Sequence, residues 1–194
     1  MGYDCDSLRC LNASTILPRI RTSTGYRHHE ILIAMELQGS HQATGRRFAL
    51  VVSSFNKDIT DGLLRGARAA LADAGVTSTD ITVVRVPGAF EIPLAARRLA
   101  GSGRYDAVIC LGCVIKGETM HFEYIASAVS HGIMAVTADT GIPVTFGVLT
   151  TLTGEQAVAR SIDGPDNKGR EAALAAVEMA TVVETLGDGV RHDG

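Results

Sequence analysis

The chain has 194 residues, 46% hydrophobic and 20% charged, which suits one globular domain with a substantial core. A net charge of -3 leaves no basic footprint for nucleic acid, and no apolar run approaches the length of a membrane span. Aromatics make up 5% and tryptophan is absent, so the core must be built from Val, Ile, Leu and Ala.

Residues 1–34 differ in character from the remainder of the chain. They lack the apolar stretch and small-residue cleavage site of a secretory signal, and Asp4, Asp6 and Glu30 weaken a transit-peptide reading. The segment reads as a disordered or non-native extension, with Met35 as an alternative start. Phe48 to Ser53 (FALVVS) is the first strand, and Ser54-Phe55-Asn56 is its exit loop. Helical spacing of Ile59, Leu63, Ala67, Ala70 and Leu71 predicts a helix over 58–74, stopped by Gly75. A second strand, ITVVRV at 81–86, runs into Pro87-Gly88-Ala89-Phe90-Glu91-Ile92-Pro93 and a helix to Ala100. The third strand is expected over 106–111, punctuated by Gly112 and Gly117 in a turn, and a helix over 119–139 comes next. PVTFGVL at 143–149 is the fourth strand. A short helix near 154–161, a loop at 163–167, a last helix over 168–186 and a polar tail at 187–194 complete the chain.

Strands alternating with helices, each strand an apolar run, predict an α/β fold: a three-layer αβα sandwich around a four-stranded parallel sheet. Right-handed crossovers place every strand exit on one edge, where such sheets bind ligands. Phe55, Ala89-Phe90-Glu91, Cys113-Val114-Ile115 and Thr150-Thr151 are therefore expected along one rim. There is no internal repeat and no second domain. Of the four cysteines, Cys5 and Cys10 lie in the extension and Cys110 and Cys113 near the third strand; they read as reduced thiols of a cytoplasmic protein.

The strongest site signal runs from Val108 to Ile125, VICLGCVIKGETMHFEYI. A strand, a glycine turn and a helix start present free backbone amides to an anion, with His121 in the first turn as a proton-transfer candidate. Alternatively, this is an ordinary turn capped by Thr119, and His121 is a surface residue. The two glycines mimic a phosphate-binding P-loop, but Glu118 occupies the lysine position, which speaks against a nucleoside triphosphatase. Cys110 and Cys113 are three apart on a strand, so they point to opposite faces, and no second ligand pair supports a metal. Phe55 suits stacking on a planar heterocycle or plain packing; Glu91 suits ligand hydroxyls or a helix dipole. Arg160 and Lys168 are surface charges unless the short helix folds back to the rim, where a guanidinium grips phosphate.

The ordered set SSFN, VPGAFEIP, LGCVIKGETMHFEYI, GIPVTFGVLTT, EQAVAR and DNKGREAALAAVEMA resembles the lumazine synthase family over about Met35 to Leu186. The resemblance implies condensation of 5-amino-6-(D-ribitylamino)uracil with 3,4-dihydroxy-2-butanone 4-phosphate to 6,7-dimethyl-8-ribityllumazine, phosphate and water, the penultimate step of riboflavin biosynthesis. It implies a flavodoxin-like fold and no cofactor or metal. Phe55 would stack on the pyrimidine, and Ala89, Phe90, Glu91, Cys113, Val114 and Ile115 would line the pyrimidine and ribityl pocket. Glu118 and Thr119 would hold the phosphate through backbone amides and Arg160 through its side chain. His121 would donate the proton, and Phe146 would arrive from a neighbouring subunit with Lys168 nearby. The implied assembly is a homopentamer, extending in part of the family to an icosahedral shell, with an association with riboflavin synthase. The strand at Met35–Gly39 would join a neighbour's sheet. One departure is the run Ser161-Ile162-Asp163-Gly164-Pro165-Asp166-Asn167, which replaces the usual Gly-Thr-Lys-x-Gly-Asn turn and leaves pentamer against shell open. Two rivals remain: a flavin-binding module, which SSFNKD disfavours for want of a phosphate loop, and a shell-forming homologue without synthase activity.

Overall fold

The computed structural model describes residues 36–188; the expectations for residues 1–34, Met35 and the tail after Asp188 lie outside the described residues. Four strands, β1 (Phe48–Ser53), β2 (Ile81–Val86), β3 (Ala107–Ile115) and β4 (Val144–Thr151), form one all-parallel sheet in the order β2-β1-β3-β4. The helices are α1 (Lys57–Asp73), α2 (Ile92–Ala100), α3 (His121–Thr140), the short α4 (Gly154–Ala159) and α5 (Lys168–Asp188). This is the flavodoxin-like αβα sandwich.

Alternation along the strands divides the core in two. Phe48, Leu50 and Val52 of β1 and Ile109, Leu111 and Cys113 of β3 pack on the α1 and α5 side. Ala49, Val51, Val108 and Cys110 pack with Ile92, Val129 and Ile133 on the α2 and α3 side. Both faces of the central strands β1 and β3 are covered, so these two are near-continuous apolar runs, each large buried side chain stabilising by about 1.5–3 kcal/mol. Cys110 and Cys113 do fall on opposite faces, and both are free thiols.

Helix α1 ends as its glycine requires. Gly75 adopts φ +85°, its amide donates to the Ala72 carbonyl, and the Val76 amide donates to Leu71. Two sequence boundaries need correction. β3 does not end at Leu111; it continues through Gly112 to Ile115. Gly112 is not a turn residue: a Cβ there would lie 3.0 Å from Ile92 Cδ1 and 3.2 Å from Val148 Cγ1, so its role is close packing. β4 likewise runs two residues past the expected Leu149, its end tied by the Lys116 amide donating to the Thr151 carbonyl at 2.9 Å. Residues 36–40 carry no regular secondary structure in this single chain; Ser40 donates its amide to Thr181 Oγ1 on α5 at 2.8 Å.

Candidate active site

In the order β2-β1-β3-β4 the connections diverge between β1 and β3, which opens a crevice at their carboxyl ends. The loop after β1 is fastened there. The Ser54 amide donates to the Val86 carbonyl and the Phe55 amide to the Pro87 carbonyl. Asn56 takes φ 55°, a left-handed conformation that Asn tolerates better than most residues, and its Nδ2 donates to the Cys113 carbonyl at 3.1 Å. Phe55 is left 69% exposed in the loop after β1.

Across from it, Ala89–Glu91 form a single 3-10 turn leading into α2. Ala89 is buried, while Phe90 is exposed. Glu91 Oε2 accepts from the Gly88 amide at 2.9 Å, so one carboxylate oxygen acts as a local cap. Cys113, Val114 and Ile115 close β3. Cys113 is buried on the α1 and α5 side, where burial pushes its thiol up to about 11 against a smaller opposing effect from Asn56. Val114 faces the α2 and α3 side and Ile115 the other, both half-buried.

The turn from Lys116 to Met120 then delivers α3. No hydrogen bond among the described residues takes up the backbone amides of Gly117, Glu118 or Thr119. These amides lie just ahead of a 20-residue helix, whose N-terminal dipole favours an anion. Met120 holds the N-cap position, and Thr119 Oγ1 accepts from the His121 amide at a long 3.4 Å. His121 is the first helical residue and is exposed. Lys116 pairs with Glu123 at 3.5 Å, two residues beyond His121.

Phe146, Arg160 and Lys168 lie elsewhere. They line a cleft of about 460 Å³ along β4, with Gln156 and Glu171. None of Phe55, Ala89–Glu91, Cys113–Ile115, Glu118, Thr119 or His121 lines it. Strand β4 is an edge strand and Phe146 pairs in register with Cys110. Phe146 thus sits five residues before Thr151, about 16 Å short of the carboxyl edge at ~3.3 Å per residue. Arg160 caps the C-terminus of α4 and donates Nη1 to the Gln156 carbonyl at 2.9 Å, and Lys168 pairs with Glu171.

The sequence reading missed Gln156 and Glu171. Gln156 Oε1 accepts from the Leu152 amide at 2.9 Å, and Thr153 Oγ1 accepts from the Gln156 amide at 3.3 Å. Threonine three residues ahead of glutamine, with a glycine between, is a helix-start signal that was there to read.

A four-stranded parallel sheet flanked by helices, with a crevice where its connections diverge, is an α/β protein of the flavodoxin-like class. Residues 45–184 match the family model described as 6,7-dimethyl-8-ribityllumazine synthase. A protein of that name from Desulfotalea psychrophila is 53% identical over 150 residues, covering 77% of this chain and 97% of that protein. Another from Salinibacter ruber is 51% identical over 150 residues, covering 77% and 96%. The chain belongs to the 6,7-dimethyl-8-ribityllumazine synthase family. It is a transferase of riboflavin biosynthesis that condenses 5-amino-6-(D-ribitylamino)uracil with 3,4-dihydroxy-2-butanone 4-phosphate. Nothing in these relatives favours a flavin-binding or shell-only homologue. No described helix is long and apolar enough to cross a membrane.

Proposed function

We propose that each active site is completed between two copies of the chain. One copy supplies the rim. Phe55 stacks on the pyrimidine, and Ala89, Phe90, Glu91, Cys113, Val114 and Ile115 line the pyrimidine and ribityl pocket. The amides of Glu118 and Thr119 receive the phosphate, and His121 moves the proton. The second copy supplies Phe146 against the other face of the ring, Arg160 on the phosphate, and Lys168 beside it. The observation that carries this reading is that Phe146, Arg160 and Lys168 share a cleft which Thr150 and Thr151 also line but Phe55, Ala89–Glu91, Cys113–Ile115, Glu118, Thr119 and His121 do not. A closed homopentamer gives every rim a cleft, and the proposal includes that assembly and a cytoplasmic location.

The chemistry asks for positioning and proton transfer. The 5-amino nitrogen attacks the ketone carbon, and the carbinolamine loses water to an imine. A proton leaves the adjacent carbon, and the C–O bond to phosphate breaks with the electron pair going to the departing phosphate. The enol left at the hydroxyl-bearing carbon takes up a proton on its terminal carbon and gives up its hydroxyl proton to become a ketone. The ribityl-bearing nitrogen closes on that new carbonyl, and water leaves again. Holding two substrates in register supplies most of the acceleration. His121, at the start of α3, exchanges protons beside the leaving phosphate, a smaller acid–base share.

Mixing the two substrates with the protein and following lumazine fluorescence tests the activity. The shared site has its own test. Phe55→Ala and Arg160→Ala chains are unfolded together and reassembled. Mixed oligomers contain sites with an intact rim from one chain and an intact cleft from the other, so activity above either parent is expected. No recovery in demonstrably mixed oligomers would overturn the two-copy site.

A further inference from the structure

Arg160 and Lys168 are eight positions apart, yet they are joined directly: the Lys168 amide donates to the Arg160 carbonyl at 2.9 Å. The loop between them is closed by one buried side chain. Asn167 is 1% exposed. Its Nδ2 lies within hydrogen-bond distance of the carbonyls of Gly62 (3.1 Å), Ser161 (2.9 Å) and Ile162 (3.0 Å), so two protons serve three acceptors. Its Oδ1 accepts from the amides of Gly169 (2.9 Å) and Arg170 (3.1 Å), capping α5.

These partners flank the two cations. Ser161 follows Arg160, and Gly169 follows Lys168. The Gly62 carbonyl belongs to α1, so the side chain ties the cation-bearing loop to the body of the fold. The amide fits only because α1 carries glycines there. A Cβ on Gly66 would lie 2.1 Å from Asn167 Oδ1, and one on Gly62 would lie 2.3 Å from the Ser161 carbonyl oxygen. Without Nδ2, the Gly62 carbonyl loses its second donor, and those of Ser161 and Ile162 lose the one that serves them among the described residues and must find water by moving the loop outward.

We infer that Asn167 is a positioning residue for the phosphate substrate: through the loop it locks, it sets where Arg160 and Lys168 stand in the cleft. The inference rests on the phosphate role proposed for Arg160. It assigns Asn167 no contact with substrate.

Asn167→Ser separates the two jobs of the side chain. Serine still caps α5 but is too short to reach the three carbonyls. Gly66→Ala leaves Asn167 in place and pushes its amide aside, while raising the helix propensity of α1, and it carries the test should Asn167→Ser fail to fold. Steady-state kinetics on the full chain, normalised to folded protein, are compared with Arg160→Ala. For both positioning variants, KM for the ketose phosphate should rise on the order of tenfold. KM for the pyrimidine should stay within about twofold, and inhibition by inorganic phosphate should weaken in parallel. A raised phosphate-substrate KM in Arg160→Ala with parental values in the positioning variants overturns the inference alone. A loss of kcat with both KM values unchanged shows a merely structural residue and overturns it too. A parental KM in Arg160→Ala overturns the phosphate role and this inference with it.

Discussion

The side-chain amide of Asn56 donates to the carbonyl of Cys113 at 3.1 Å while Asn56 holds φ 55°. One residue thus ties the loop after β1, which carries Phe55, to the end of β3 at the mouth of the crevice. Asn56→Gly should keep the backbone and lose the bond, costing about 1 kcal/mol. Asn56→Ala should add the left-handed penalty of roughly 1–2 kcal/mol. Both should raise KM for the pyrimidine, Ala more than Gly, by urea unfolding and steady-state kinetics. Equal stability in the two variants would contradict the backbone part of this account.

Much of the fold was legible because buried parallel strands announce themselves. FALVVS and ITVVRV have the same limits in sequence and structure. The end of β3 was not legible. Glycine at 112 signals a turn when read locally, and only the approach of Ile92 and Val148 from other elements shows that it is a packing position. The candidate site was legible as residue types scattered over separate stretches from Phe55 to Lys168. Their separation into a rim and a cleft was not, because strand order and register place Phe146 on an edge strand opposite Cys110. Asn167 was visible only as a loop residue; its hydrogen bonds depend on glycines about a hundred positions earlier in the chain.

His121 and Arg160 should fail differently. Removing the imidazole by His121→Ala takes away one proton carrier while leaving both substrates oriented, so kcat should fall by about a hundredfold, the low end for a general acid–base group. Arg160→Ala removes the guanidinium from the cleft, and KM for the phosphate substrate should rise more than kcat falls. Initial rates at varied concentrations of each substrate distinguish the two. An unchanged rate in His121→Ala would remove it from the mechanism.

The two buried thiols set an alkaline limit. Burial raises the Cys110 pKa and pushes Cys113 up from 9.0 to about 11. The unfolded chain loses its thiol protons first, so it binds fewer protons than the native state above about pH 9. The stability is therefore present in full below the unfolded value and is lost as pH rises through the native one. Urea midpoints at about pH 8 and about pH 10 should differ more for the parent than for Cys110→Ala. Equal differences in the two proteins would remove the thiol from the account.

Gly169 and Gly154 both lie in the first turn of a helix, yet they should respond oppositely to a methyl group. A Cβ on Gly169 would sit 2.0 Å from the Leu63 carbonyl oxygen and 2.8 Å from Leu63 Cα, backbone atoms of α1 that cannot turn aside. Relief requires α1 and α5 to separate, which disturbs the core shared by Leu63, Ala67, Ala173 and Ala176. Gly169→Ala should cost about 3 kcal/mol or more, the upper range for overpacking. A Cβ on Gly154 meets nothing within 4 Å, and the residue does not need positive φ. Gly154→Ala should stabilise by about 0.4–1 kcal/mol through the unfolded chain. Thermal and urea unfolding of the two variants side by side measures this. Similar stability in both would mean that the α1 and α5 backbones are not in the close contact on which the loop between Arg160 and Lys168 depends.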